Sequence, residues 1–255
     1  MEVIICPDEH QVGRVAAERV VSWVQGLATP VLGLATGSSP LALYGELARR
    51  VAAGEADFSH GLGFALDEYV GIDPENPLSY RQTIRRTVVE PLRMEPNRVR
   101  VPDGAASDLA AAAHEYDQAI RAAGGVDVQV LGIGSNGHIG FNEPTSSFGS
   151  RTRVKTLTQQ TRADNARFFA AGEQVPTHCV TQGLGTIMEA RHVVMVVTGS
   201  HKADAVAAMV EGPVAAVCPG SILQFHPSVL VVTDEAAAAG LKHADYFRYV
   251  ADNLI

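Results

Sequence analysis

Residues 131–144 read LGIGSNGHIGFNEP: an apolar run enters glycines and then presents Asn136, His138, Asn142 and Glu143 in quick succession. An imidazole set among amides and a carboxylate is equipment for moving protons. Glu143 lies five residues past His138 in a glycine-bearing loop, where it can fold back and hold the ring as the carboxylate of a catalytic triad does. A lone histidine is ordinarily a hydrogen-bonded structural residue; the glycines and the facing carboxylate turn this one toward chemistry. A second carboxylate, Asp67, leaves an apolar run in Leu66-Asp67-Glu68-Tyr69-Val70-Gly71. Partial desolvation there raises its pKa toward the range useful for taking a carbon-bound proton, which makes Asp67 the candidate base. The alternative is a helix N-cap for whatever follows.

Two further turns suit an anion. In Gly37-Ser38-Ser39-Pro40 a strand turns through glycine into hydroxyl residues and then a helix, so free N–H groups and the positive end of the helix dipole are both on offer. Ser39 as a plain N-cap is the alternative. In Thr198-Gly199-Ser200-His201-Lys202 a second strand end turns into a helix, now with a lysine in the opening turn. A cation there opposes the dipole unless an anion sits beside it, although a solvated surface lysine is the simpler account. Two such turns in one chain point to a phosphorylated ligand, with Arg167 in Ala166-Arg167-Phe168-Phe169 available as a guanidinium clamp.

Several chemistries are disfavoured. Gly132, Gly134 and Gly137 satisfy G-x-G-x-x-G, but they lead to Pro144 and a loop instead of opening a helix, which argues against dinucleotide binding. No H-E-x-x-H or H-x-x-x-H supports a metal site, and no G-x-S-x-G elbow supports the usual serine hydrolase. Cys6, Cys179 and Cys218 are odd in number and widely spaced, so they read as buried thiols. A net charge of −8 without a basic run argues against nucleic-acid binding. The N-terminus lacks a signal-peptide pattern and no apolar run approaches a membrane span, so no membrane partner and a cytoplasmic location are expected.

These groups need a scaffold, and short apolar runs alternating with helical patterns supply one. Strands are predicted at residues 2–6, 31–35, 62–66, 126–133, 193–198 and 228–232. Asp8 opens an amphipathic helix to about Val24, a second helix follows Pro40 to about Ala53, and the alanine-rich stretch 105–113 reads as a surface helix. With 255 residues and 46% hydrophobic content, this alternation implies a single-domain α/β fold: a doubly wound, mostly parallel, modified Rossmann-like sheet flanked by helices. Ligands of such sheets gather beyond the carboxyl ends of the strands.

The combination LATGSSPLALY, LDEYVGI, LGIGSNGHIGFNEP, SRTRVKTLT, TRADNARFF, GSHKA and SILQFHP, spread over nearly the whole chain, resembles the glucosamine-6-phosphate deaminase family. The DEYVG and GHIGFNEP segments are highly specific, whereas the TGSSP turn is shared by related sugar-phosphate proteins. The resemblance implies that Asp67 moves a proton from C2 to C1 of the opened sugar, and that His138 opens the ring with support from Glu143 and Asn136. It implies phosphate binding by Gly37, Ser38, Ser39, Arg167 and Lys202, a phosphorylated amino sugar as partner, and no metal or organic cofactor. Some members carry aspartate where this chain has Asn136, which leaves its imidazolium less favoured. Some relatives are hexamers activated by N-acetylglucosamine 6-phosphate; Ser146, Arg153, Lys155 and Thr156 resemble that site's phosphate-binding part, and a homo-oligomer is an open expectation. The rival readings are a 6-phosphogluconolactonase-like hydrolase, which needs no C2 base, and a non-catalytic sugar-phosphate sensor.

Overall fold

Seven parallel strands form the centre of the computed structural model, which describes residues 1–169 and 173–253. In chain order, the strands of this sheet and of a second, smaller one are β1 (Glu2–Cys6), β2 (Val31–Leu34), β3 (Leu62–Ala65), β4 (Asp67–Tyr69), β5 (Val99–Arg100), β6 (Val128–Leu131), β7 (Arg153–Thr156), β8 (His178–Thr181), β9 (His192–Val197) and β10 (Val229–Asp234). The main sheet runs β1-β10-β9-β6-β2-β3-β5, and every pairing in it is parallel. Its inner strands are buried on both faces, which is why they read as mostly apolar runs, with Gln129 a buried polar exception in β6. The helices are α1 (Glu9–Val24), α2 (Leu41–Ala52), α3 (Tyr80–Ile84), α4 (Leu109–Ala122), α5 (Gln159–Asn165), α6 (Leu184–Ile187), α7 (Ala203–Val210), α8 (Glu235–Ala238) and α9 (Ala244–Asp252).

The six expected strands are all present, the first at its expected bounds and the others with ends moved by no more than two residues. The strand expected at 126–133 is trimmed most, because the Asp127 carboxylate accepts the Val31 N–H at 2.8 Å and ends the run. β5 was not foreseen: two residues long, it carries too little periodicity to register. The alanine-rich helix starts later than expected, at Leu109, because Asp108 caps it by accepting from Ala110 and Ala111. Its inner face buries Tyr116, whose hydroxyl donates to the Ala65 carbonyl at 2.7 Å at the end of β3. Cys6, Cys179 and Cys218 are free, buried thiols.

A second, antiparallel sheet, β4-β8-β7, was also missed. It packs over a small core of Tyr69, Ile72, Phe141, Leu157, Val175 and Cys179 and starts two residues beyond β3. Through it, the chain leaving β3 is held as a strand. No helix among the described residues is long and apolar enough to cross a membrane.

Candidate active site

In the main sheet the connections from β2 run one way, to β3, and those from β6 the other, to β9. The β2/β6 boundary is thus the topological switch point, where two successive loops part and leave a crevice. A cleft of about 130 Å³ opens there, lined by the turn after β2 (Thr36 to Ser39), the loop after β6 (Gly132 to Phe141), Asp67, Tyr80, α5 with the turn that follows it, and Lys202. Asp67, His138, Gly37, Ser38, Ser39, Arg167 and Lys202, dispersed over the sequence, therefore share one wall or another of a single cleft.

Asp67 is the first residue of β4, not a helix cap, and it pairs with Thr181 of β8. Only 5% of it is exposed. Its Oδ2 is 3.5 Å from the Thr181 hydroxyl, a long contact for a carboxylate. Burial, with the neighbouring Glu68 charge adding to it, pushes the Asp67 carboxyl up to about 8.

Across the cleft, His138 is fixed from behind. Its Nδ1 lies 2.7 Å from Asn136 Oδ1, Asn136 Nδ2 donates to Glu143 Oε2 at 2.8 Å, and Glu143 Oε2 itself is 3.7 Å from Nδ1. The amide thus takes the hydrogen bond of the ring, and Glu143, folded back as expected, stands behind it at ion-pair distance. An amide oxygen only accepts, so Nδ1 carries the proton and Nε2 keeps its lone pair. Burial pushes the imidazolium down to about 4 against the pull of Glu143, with Lys202 reinforcing the drop. Burial acts to raise Glu143, but the Thr158 N–H at 2.9 Å, Thr161, His138 and Asn136 prevail and hold it ionised below the usual range. Gly134 is required here, because a Cβ on it would lie 2.2 Å from the ring. Asn142 does not face the cleft: it is fully buried, donates to the Ile139 and Gln182 carbonyls, and braces the loop.

The cationic end is built differently from the sequence expectation. Ser39 does not cap α2: Pro40 occupies that position, with no side-chain cap, so the hydroxyl is left to the cleft. Gly37 sits at φ +90°, a left-handed turn that glycine adopts without strain. The turn is anchored by Tyr44, whose hydroxyl both accepts from the Ala35 N–H and donates to its carbonyl, each at 3.0 Å. At the second turn the Gly199 N–H already donates to Asp234, at 3.0 and 3.1 Å, so that backbone is not a free anion cradle. What this turn contributes is the Lys202 side chain, more than half buried and lowered by burial against the attraction of Asp164. Arg167 Nη2 reaches the Ser38 hydroxyl at 3.3 Å while its guanidinium lies over Phe168.

Ser146, Arg153, Lys155 and Thr156 do not line the cleft. The buried Ser146 hydroxyl donates to the Glu143 carbonyl at 2.6 Å, and Arg153 donates to Asn142 Oδ1 at 2.9 Å, so both are engaged with the loop after β6 from outside the cleft. Sequence reasoning missed Tyr80, Thr161, Asp164 and Asn165 as cleft residues. Asp164 and Asn165 lie in the TRADNARFF segment and adjoin Arg167, a signal that was available; nothing around Tyr80 marked it.

A sequence model of the family described as glucosamine-6-phosphate isomerases/6-phosphogluconolactonase matches residues 7–231. The glucosamine-6-phosphate deaminase of Cutibacterium acnes is 60% identical, over 98% of this chain and 95% of its own. That of Streptomyces coelicolor is 56% identical over 98% and 96%. Among solved structures, a monomeric glucosamine-6-phosphate deaminase superposes with a TM-score of 0.91 at 37% identity, over 94% of this chain and all of that one. The 6-phosphogluconolactonase of Trypanosoma cruzi, at a TM-score of 0.76, 19% identity and 94% and 97% coverage, shares the fold alone. Taken with the switch-point cleft, these similarities make the chain a member of the glucosamine-6-phosphate isomerase/6-phosphogluconolactonase family.

Proposed function

We propose that the chain is a glucosamine-6-phosphate deaminase, converting glucosamine 6-phosphate and water to fructose 6-phosphate and ammonia as a hydrolytic step of amino-sugar breakdown in the cytoplasm. The observation that carries the reading is the pairing, in one cleft, of a buried carboxyl and a neutral imidazole with a free Nε2, next to a cationic end. The phosphate is assigned to Gly37, Ser38, Ser39, Arg167 and Lys202, which directs the C1–C2 end of the sugar toward Asp67 and His138.

His138 Nε2 takes the proton of the anomeric hydroxyl and returns it to the ring oxygen, opening the pyranose. Asn136 and Glu143 stabilise the ring while it is briefly charged. Asp67 then removes the C2 proton and delivers it to C1 while one proton of the substrate ammonium passes to O1, leaving a C1 hydroxyl and an iminium at C2. Water adds there and the C–N bond breaks, so that ammonia leaves and the ketone forms. A carboxyl near 8 is largely protonated at neutral pH. The substrate's own C2 ammonium, arriving beside it, lowers that value and generates the base. Selectivity for an amino sugar follows from the same charge.

The test is product release from glucosamine 6-phosphate by the parent and by Asp67→Asn, with chelator present. Equimolar ammonia and fructose 6-phosphate from the parent and neither from the variant is expected. Saturable binding without products would reject the deaminase in favour of a sensor. A lactonase has the same use for the cationic end but no task for Asp67.

A further inference from the structure

We propose that Glu68 is a positioning residue for proton transfer at Asp67: its buried carboxylate fastens the base strand to the first turn of α3 and so fixes Tyr80 beside the base. The inference rests on the reading of Asp67 as the C2 base. Glu68 is 4% exposed and follows Asp67 in β4, so its side chain leaves the opposite face of the strand. There it converges on backbone amides. Oε1 accepts from the Tyr69 N–H at 2.9 Å and the Tyr80 N–H at 3.0 Å, and Oε2 accepts from the Arg81 N–H at 3.0 Å. The Tyr80 and Arg81 amides are first-turn donors that the helix itself cannot satisfy.

These bonds close a circuit around the base. Tyr80 lies near parallel to Phe141, with ring centroids 6.0 Å apart. The Phe141 N–H donates to the Thr181 hydroxyl at 3.0 Å, and that hydroxyl is the contact of Asp67 Oδ2. The Tyr80 hydroxyl donates to that of Tyr69 at 3.1 Å, which also accepts from Asn165 of α5. Removing Glu68 opens this circuit at its one charged link.

The charge matters as well as the geometry. Among the described residues, the ionisable groups that sense the Asp67 charge from the surrounding elements are Tyr69, Tyr80, Tyr116 and Cys179, all pushed upward by burial and therefore neutral. His138, pushed down, is neutral too. Glu68 is the anion that acts on Asp67. Burial raises Glu68 itself, while the three amides and Arg81 favour its charged form.

The experiment compares pH profiles of kcat/KM for the parent, Glu68→Gln and Glu68→Asp. Glu68→Gln removes the charge at constant size, so the acid limb set by Asp67 should move down by on the order of one pH unit. Glu68→Asp keeps the charge but withdraws it from the α3 amides. It should lower kcat by roughly tenfold or more, with KM and the limb unchanged. An acid limb at the parental pH in Glu68→Gln, with kcat within about twofold, overturns the proposal. If Glu68→Gln does not fold, Glu68→Asp decides: the kcat loss at constant KM supports the role and a parental kcat refutes it. A parent that releases no ammonia would instead remove the deaminase reading, before any Glu68 variant is compared.

Discussion

Replacing Asn136 with aspartate puts a second carboxylate on the His138 ring at nearly constant shape. In the parent, ring Nδ1 is 2.7 Å from the Asn136 oxygen, and the imidazolium is held down to about 4 by burial. An opposite charge at hydrogen-bonding range raises a histidine by roughly 1–3 units, or about 1.4–4 kcal/mol. The new carboxylate also meets Glu143 where the amide donated at 2.8 Å. Two carboxylates that close cannot both stay ionised without a cation between or beside them, and the imidazolium is the one at hand. Both effects have the same sign, so His138 in Asn136→Asp should titrate at roughly 5–7. The rate profile alone would conceal this, because Asp67, near 8, titrates first on descending pH and owns the acid limb. The assay is therefore NMR titration of the His138 ring, with His138→Gln identifying the signal. A histidine that titrates in the variant at the parental pH, or below it, would refute the assignment of Asn136 as the neutral spacer.

Other outcomes follow from the same geometry. Asp67→Asn should abolish turnover yet stabilise the ligand-free protein: a carboxyl raised from 3.8 to about 8 favours folding fully below 3.8 and loses that contribution as pH rises through 8. Thermal unfolding at pH 8–9 should show the variant ahead by up to about 6 kcal/mol, and a less stable variant would contradict the buried-acid reading. Tyr44→Phe leaves both polar groups of Ala35 unpaired in the interior, which costs about 1–3 kcal/mol in denaturant unfolding and loosens the serine turn; an unchanged midpoint would count against it. Gly134→Ala drives a methyl into the imidazole, so kcat should fall about 100-fold with the fold retained by circular dichroism, whereas parental kcat would show that the ring has room to move. Lys202→Met should raise KM by roughly 10–100-fold with a smaller effect on kcat, and an unchanged KM would remove Lys202 from the phosphate end.

Features set by neighbouring residues were legible before folding is considered. Apolar runs ending in glycine, hydroxyl or acidic residues located the main strands and the cleft side chains at their ends, because burial of a strand and the turn that follows it depend on adjacent residues. The Asp67, His138 and Gly37–Ser39 positions were legible for that reason. What depended on partners distant in the chain was not. Thr181 meets Asp67 from 114 residues away, and β4, three residues long, is a strand because β8 pairs with it. Gly199 has the sequence of an anion turn, yet Asp234, 35 residues on, has claimed its N–H. The placement of the amide between His138 and Glu143, and with it the ring's tautomer, was set by how the loop closes. Tyr80 reaches the cleft because Glu68 holds its helix there. Side-chain type can name a base or an imidazole; only the packed chain decides which neighbours desolvate it, which donors reach it, and so which proton it holds.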